Sequence, residues 1–567
     1  VFQLTDNLTY VKNNHVFTVG ISFEKFMFKN SFNLKGYGFD VFGSVDINDF
    51  EASNYQDALN NAIATFDAKG SLEDGVDGGW NLAEMNFGQF AFYGQDEWSI
   101  NDDFSLTLGI RFDKPLYFNT SELTQKFIDT ENSEFYNPDI EYFDPATGEK
   151  TLFDSTKMPS DKILFSPRVG FNWDVNGNNT FKLRGGTGIF TGRLPFVWLG
   201  NQVSGVDQFF YQVVDTDFEW PQVWRTSLGA DYMFENGLTL VTDLSYTKDL
   251  NAIHVQNWGL NRPTSTLAGV DNRPIYGDSD VSTWVAPWGS TERGNAYVLT
   301  NSDKGRVINA SLKLQKQFKN NFFVSGAYNY LDSKDVNSIE AEITGDAFNF
   351  NPAINNVNND DLAYSKYGNR HRFIGVISKK WNYGSDKWAT TISSFLEYKE
   401  GSRFSYTYGG DINNDFSSVN DLIYVPTSAE ISNMNFTQLD MASKYDAFIA
   451  QDDYLKDRRG QYAERYGAFS PWVGRIDLKI LQDYNFFISD KKQTIQFSID
   501  ILNFGNMLNS DWGVIQQPNS VQPLGVSVDP VTKVPTYSYD GNLTKTFGYD
   551  SSIDSRWQMQ LGLRYIF

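Results

Sequence analysis

The stretch DINNDFSSVND, residues 411 to 421, sets oxygen-bearing side chains at the spacing of a calcium loop. Asp411, Asn413 and Asp415 hold positions 1, 3 and 5, and Ser417 holds position 7. Calcium is a hard cation that takes about six to eight oxygen ligands, so carboxylates and amides alternating along one loop are the chemistry it needs. Two departures are plain. Phe416 stands where such loops carry glycine, and position 12 is Leu422 rather than glutamate, which leaves Asp421 at position 11 to reach in. The candidate metal ligands are therefore Asp411, Asn413, Asp415, Ser417 and Asp421. No cofactor is required, and calcium is the ion for which half the loop pattern is met. The plainer reading of the same residues is a loop rich in Asx turns.

Other chemistry is thinner. GGTGIFTG, residues 185 to 192, has the glycines of a phosphate loop but neither the lysine nor the following helix, so the glycines are read as relieving crowding in a sheet. The three histidines, His15, His254 and His371, are far apart in sequence, and neither HExxH nor GxSxG occurs. Carboxylates are too numerous for any pair to be singled out as acid and base. The expectation is a protein without catalytic residues, not an enzyme.

The elements that must position these residues are strands. FSLTLGIRFD, residues 104 to 113, turns Phe104, Leu106, Leu108, Ile110 and Phe112 to one face and Ser105, Thr107, Gly109, Arg111 and Asp113 to the other. Residues 165 to 175 do the same, with Phe165, Val169, Phe171 and Trp173 opposite Ser166, Arg168, Asn172 and Asp174. Polar turns such as KNNH, NDD, NGNN, ENG, KNN, YGSDK and SDKK join these strands in pairs, which is the signature of hairpins. Counting them predicts about fifteen strands, in seven hairpins plus a last strand, WQMQLGLRYIF. Between the hairpins run long loops, at 33–82, 119–162, 193–222, 258–294, 336–361, 409–470 and 509–554. The first contains YQDALNNAIATF, where Leu59, Ala62, Ile63 and Phe66 predict a short amphipathic helix.

Composition fits strands that meet lipid on one face. Of 567 residues 16% are aromatic, yet the mean hydropathy is only −0.42, because polar residues alternate with apolar ones. No apolar run is long enough for a membrane helix, which leaves a closed barrel as the way to span a bilayer. A soluble β-sandwich or propeller also alternates, but these strands run past about 10 residues, the length a tilted membrane strand needs. Trp98, Trp173 and Trp388 near strand ends match interfacial girdles. A net charge of −23 argues against nucleic acid, and with no cysteine there is no disulfide framework. Lumen-facing Arg111, Arg168, Lys182, Arg184, Arg475, Asp477, Lys479 and Asp500 are expected to pair mutually across neighbouring strands.

Several segments resemble TonB-dependent receptors: YGQDEW with LTLGIRFD, SPRVGFNWDV with KLRGGTGIFTGRLP, and DILNFGN before the terminal strand. VWRTSLGADYMFENG, TNSDKGRVINASLKLQKQF and SYTYGGDINNDFSSVNDLIYVP resemble the Oar-like subgroup of Bacteroidota type, which carries a carboxypeptidase-regulatory-like domain. Phe567 at the end of an alternating strand resembles the signal read by the barrel-assembly machinery. The resemblance implies an all-β, antiparallel transmembrane β-barrel with long extracellular loops. Residues 1–567 would be its C-terminal portion, about fifteen strands of a 22-stranded plugged barrel, with the regulatory-like domain, plug and first strands lying outside this sequence. It implies a receptor of the cell outer membrane that imports a peptide, glycan or siderophore, energised by the TonB-ExbB-ExbD complex through the missing N-terminal region. The partners are then outer-membrane lipid, that complex and, in a SusC-like arrangement, a surface lipoprotein. The rivals are a barrel subunit of a larger envelope assembly, for protein export or surface adhesion, and a passive porin.

Overall fold

A computed structural model describes residues 1–30, 83–131, 141–204, 211–281, 295–339 and 344–567. The loop at 33–82 and its expected helix lie outside the described residues. Fifteen long strands form one continuous antiparallel sheet in chain order. They are β1 (Phe2–Lys12), β2 (His15–Asn30), β3 (Ala83–Ser99), β4 (Phe104–Leu116), β5 (Leu164–Asp174), β6 (Phe181–Thr191), β7 (Gln222–Met233) and β8 (Leu238–Asp249). Then follow β9 (Arg306–Gln317), β10 (Phe322–Asp335), β11 (His371–Tyr383), β12 (Trp388–Lys399), β13 (Val473–Ile488), β14 (Lys491–Leu502) and β15 (Gln558–Ile566). Each pairs with its neighbours in sequence, and Ala363–Tyr364 adds a short strand beside β10.

Local chemistry explains the hairpins. Between β13 and β14 only Ser489 and Asp490 intervene, both with positive φ, and such a turn twists in the same sense as the strands it joins. One face of the sheet carries exposed apolar side chains from strand after strand, among them Leu228 at 54%, Leu244 at 53% and Leu563 at 78%. An apolar band of that breadth is a liability in water and the correct surface in lipid. Among the described residues no helix is long and apolar enough to cross a membrane, which says nothing against crossing by strands. The sheet is open: β1 and β15 are its edges and do not pair with one another.

The buried core lies in the long loops. Short turns and long connections alternate, and antiparallel strands send all the long ones to the same edge of the sheet. There they fold together. Ala296–Ser302 pairs with Ala252–Asn257 and, in parallel, with Tyr211–Val214 from another loop. Tyr408–Gly409, Leu524–Val528, Pro535–Tyr539 and Asn435–Phe436 make a four-stranded sheet from two more loops. The two larger apolar clusters hold most of this layer, and a smaller one gathers Tyr142, Val213, Ala296 and Val298. Of the larger two, one gathers Trp198, Leu199, Phe218, Trp220, Tyr276 and Phe348. The other gathers Tyr406, Tyr408, Ile412, Tyr445, Phe448 and Tyr537.

Candidate functional site

The acidic loop lies between the two larger clusters, with Ile412 in the second and Phe416 packed on the first. Asp411, Asp415 and Asp421 converge, each offering a carboxylate oxygen within 4.8 Å of the others. Asp415 and Asp421 are fully buried and Asp411 is half-buried. The loop winds by accepting its own amides: Asp415 N donates to Asp411 Oδ1 at 3.1 Å and to Asn413 Oδ1 at 3.0 Å, and Phe416 N donates to Asp411 Oδ2 at 3.0 Å. Phe416 adopts φ +76°, the left-handed conformation that a glycine would take there without strain. Its half-buried ring packs against the neighbouring cluster.

Ser417 is brought to the loop but not into the carboxylate cluster. Its Oγ donates to the Asn349 carbonyl at 3.2 Å and accepts from Val419 N at 3.3 Å. In its place the fold supplies Asn420, whose Nδ2 donates to Asp415 Oδ2 at 3.1 Å. The segment 271–280 brings a second missed group, Arg273, which is fully buried. Its Nη1 donates to Asp421 Oδ1 at 3.0 Å, and its Nη2 donates to Asp271 Oδ2 at 2.9 Å. Asp271 also accepts from the Tyr408 and Tyr462 hydroxyls at 3.0 and 2.9 Å. The pairing of Asp271 with Arg273 two residues on was the only sequence signal for this contact.

Two carboxylates, Asp271 and Asp421, thus share one guanidinium, and Asp411 and Asp415 lie beside them. Burial, and then the charge of Asp411, push Asp415 up to about 7. Burial, then Asp415, push Asp421 well up against the pull of Arg273. Oxygen-rich, acidic and mostly buried, the arrangement offers the donor set of a hard cation.

The histidines do not cluster. His15 Nδ1 lies 2.9 Å from Asp96, His254 Nε2 donates to the Val357 carbonyl at 3.2 Å, and His371 Nδ1 meets the Tyr328 hydroxyl at 2.8 Å. The glycines of residues 185–192 sit inside β6, where a Cβ on Gly186 would come 2.7 Å from the Val169 carbonyl of β5.

Along the wall, Arg184 crosses strands to Asp231 at 2.7 Å and Asp243 at 2.6 Å, and Lys479 crosses to Asp500 at 2.7 Å. Arg111 and Arg475 instead pair along their own strands with Asp113 and Asp477, both at 2.8 Å. Arg168 lies over the Phe190 ring, 4.5 Å from its centroid. Where wall and loops meet, a cavity of 760 Å³ opens among Glu397, Lys399, Arg403, Arg475, Gln517 and Asp554.

Residues 1–203, which include β1 to β6, match the family described as outer membrane beta barrel domain. Over β1 to β6, then, the wall has the sequence of an outer-membrane β-barrel. No curated protein sequence matches the chain. Among solved structures the barrel sheet and its loops are similar to the siderophore receptor PirA from Acinetobacter baumannii, at TM-score 0.44 and 9% identity over 94% of this chain and 52% of that one. They are similar to the outer membrane transporter YddB from Escherichia coli, at TM-score 0.44 and 11% identity over 100% of this chain and 53% of that one. They are also similar to the FrpB iron transporter from Neisseria meningitidis, at TM-score 0.42 and 8% identity over 89% and 51%. The chain spans about half the length of these structures.

Proposed function

We propose that this chain is the C-terminal barrel portion of a TonB-dependent outer-membrane receptor of the Oar-like subgroup, which imports a scarce or bulky substrate. The observation that carries the reading is the joining of a fifteen-strand wall to a layer of long loops with cores of their own. A passive pore needs only the wall. Loops folded into a packed layer present a preorganised surface, which lowers the entropy lost when a ligand is captured. Substrate binds on that layer and descends towards the polar cavity at the top of the wall. Peptide, glycan and siderophore are the substrate classes in view.

Charged wall residues that satisfy one another, as Arg184 and Lys479 do, keep the lumen wet without fixing a plug irreversibly. No catalytic group is called for, since the TonB-ExbB-ExbD complex supplies the work through the N-terminal region. The test is the intact mass of the native polypeptide from isolated outer membranes, with N-terminal peptide sequencing. A mass well above that of these 567 residues, with plug peptides upstream, is the expected result. A mass equal to theirs overturns the reading in favour of a barrel subunit closed by a second chain in an envelope assembly.

A further inference from the structure

Two buried polar atoms beside the Asp411, Asp415 and Asp421 cluster find no hydrogen-bond partner among the described residues: the Tyr276 hydroxyl and Asn420 Oδ1. Both residues are sealed, at 0% and 1% exposure. A buried polar atom left without a partner is costly in a folded core, so two at one spot point to a group that satisfies them.

Their positions say where that group sits. Tyr276 N donates to the Asn413 carbonyl at 2.8 Å, and Asn414 Nδ2 donates to the Tyr276 carbonyl at 2.9 Å, so the ring rises from the edge of the acidic loop. The charges acting on its hydroxyl are, in order, those of Asp415, Asp280 and Asp421. The Asn420 amide already touches Asp415 through Nδ2, and half a turn of that amide sets Oδ1 beside the same carboxylate. Two oxygens side by side repel unless a cation lies between them.

We propose that residues 411–421 bind one Ca²⁺, held by side-chain oxygens of Asp411, Asn413, Asp415, Asn420 and Asp421, with the Tyr276 hydroxyl reaching it through a bound water. Asp421 keeps Arg273 on Oδ1 and offers Oδ2, which now accepts only from Ile412 N at 3.2 Å. Carboxylate oxygens within 4.8 Å of one another fit inside the span across Ca²⁺, about 4.6–5.2 Å, and an all-protein oxygen cage of this kind is typical of Ca²⁺ rather than of Mg²⁺, which keeps several waters. The ion acts as a latch. Ser417 and Asn413 reach the Asn349 and Asn355 carbonyls, and Arg273 and Tyr276 belong to the 271–280 segment, so one cation fastens three loops.

The experiment is calorimetric titration of CaCl₂ into the native polypeptide carrying these residues, purified in detergent from outer membranes and treated with chelator, paired with limited proteolysis of the same protein with and without Ca²⁺. One site per chain is expected, with a dissociation constant between about 10⁻⁶ and 10⁻³ M. Cleavage within 400–472 is expected to run roughly tenfold faster in chelator. Asp415→Asn should lose the binding, while Asp280→Asn should keep it. The proteolysis comparison on the unaltered chain stands even if Asp415→Asn fails to fold. Absence of binding heat with identical cleavage in both buffers overturns the proposal, as does equal protection by MgCl₂.

Discussion

Arg273 and Asp421, 148 residues apart in sequence, meet at 3.0 Å with both side chains sealed from water. The contact ties the 271–280 segment to the acidic loop, and the rings of Tyr408 and Tyr462 flank the guanidinium at 5.2 and 5.1 Å. A buried ion pair adds little when compared with a well-packed apolar pair, yet breaking one on one side only is costly.

Arg273→Met leaves Asp271 and Asp421 buried without their cation. The loop layer should lose about 3–5 kcal/mol of stability. Hydrogen exchange at residues 406–425 should quicken, while the strands β7 to β14 keep their protection. Unchanged exchange in that loop would show that the pair does not hold it.

Arg184→Gln removes two ion pairs from the wall, but the guanidinium is 34% exposed and Asp243 51% exposed. Water screens such pairs, so the loss should stay below about 1 kcal/mol. Heat-modifiability on gels should show a barrel sheet melting close to the unaltered chain. A large drop would mean that Arg184 supports packing that its ion pairs do not account for.

Gly186→Ala places a Cβ 2.7 Å from the Val169 carbonyl and 3.2 Å from Gly170 Cα, both backbone atoms that cannot swing aside. Overpacking of this kind should cost about 1–3 kcal/mol and weaken the pairing of β5 with β6. Gly326→Ala, with open space at its Cβ position, is the control and should be neutral or nearly so. Equal thermal stability of the two variants would refute the crowding account of the glycines.

His254 sits in the loop core, where burial drives its pKa down to about 4 against weaker upward pulls from the Val357 carbonyl and Asp360, and with Arg465 and Lys304 also pushing down. The unfolded imidazole binds its proton near 6.5, so between about 6.5 and 4 the unfolded state holds more protons than the folded one. Stability from this residue is therefore complete above about 6.5 and declines as pH falls, by on the order of 3 kcal/mol in all. Proteolysis of the loops at pH 7.5 and pH 4.5 should show the loss in the unaltered chain and a smaller one in His254→Gln. An acid sensitivity equal in both would place its origin in other groups.

The strands and their faces were legible because their rules are local. Side chains alternate every second residue, and turn residues such as Ser489 and Asp490 announce a hairpin within a few positions. All seven hairpins and the last strand of the sheet follow from those short-range patterns.

The loop layer obeys no such period. Ala296–Ser302 beside Tyr211–Val214 in parallel, or Tyr408–Gly409 beside Leu524–Val528, joins segments whose apolar residues have no repeat to betray them. The spacing of Asp411, Asn413, Asp415 and Asp421 marked one side of the acidic site, since a loop that winds on its own amides is written in adjacent residues. Arg273, Tyr276 and Asn420 were settled only by tertiary packing, which turned Ser417 away to Asn349, put Asn420 of the same loop in its place and brought Arg273 and Tyr276 from another part of the chain. Local sequence determines what a short segment can accept, whereas burial between two distant apolar clusters determines which charges must answer one another.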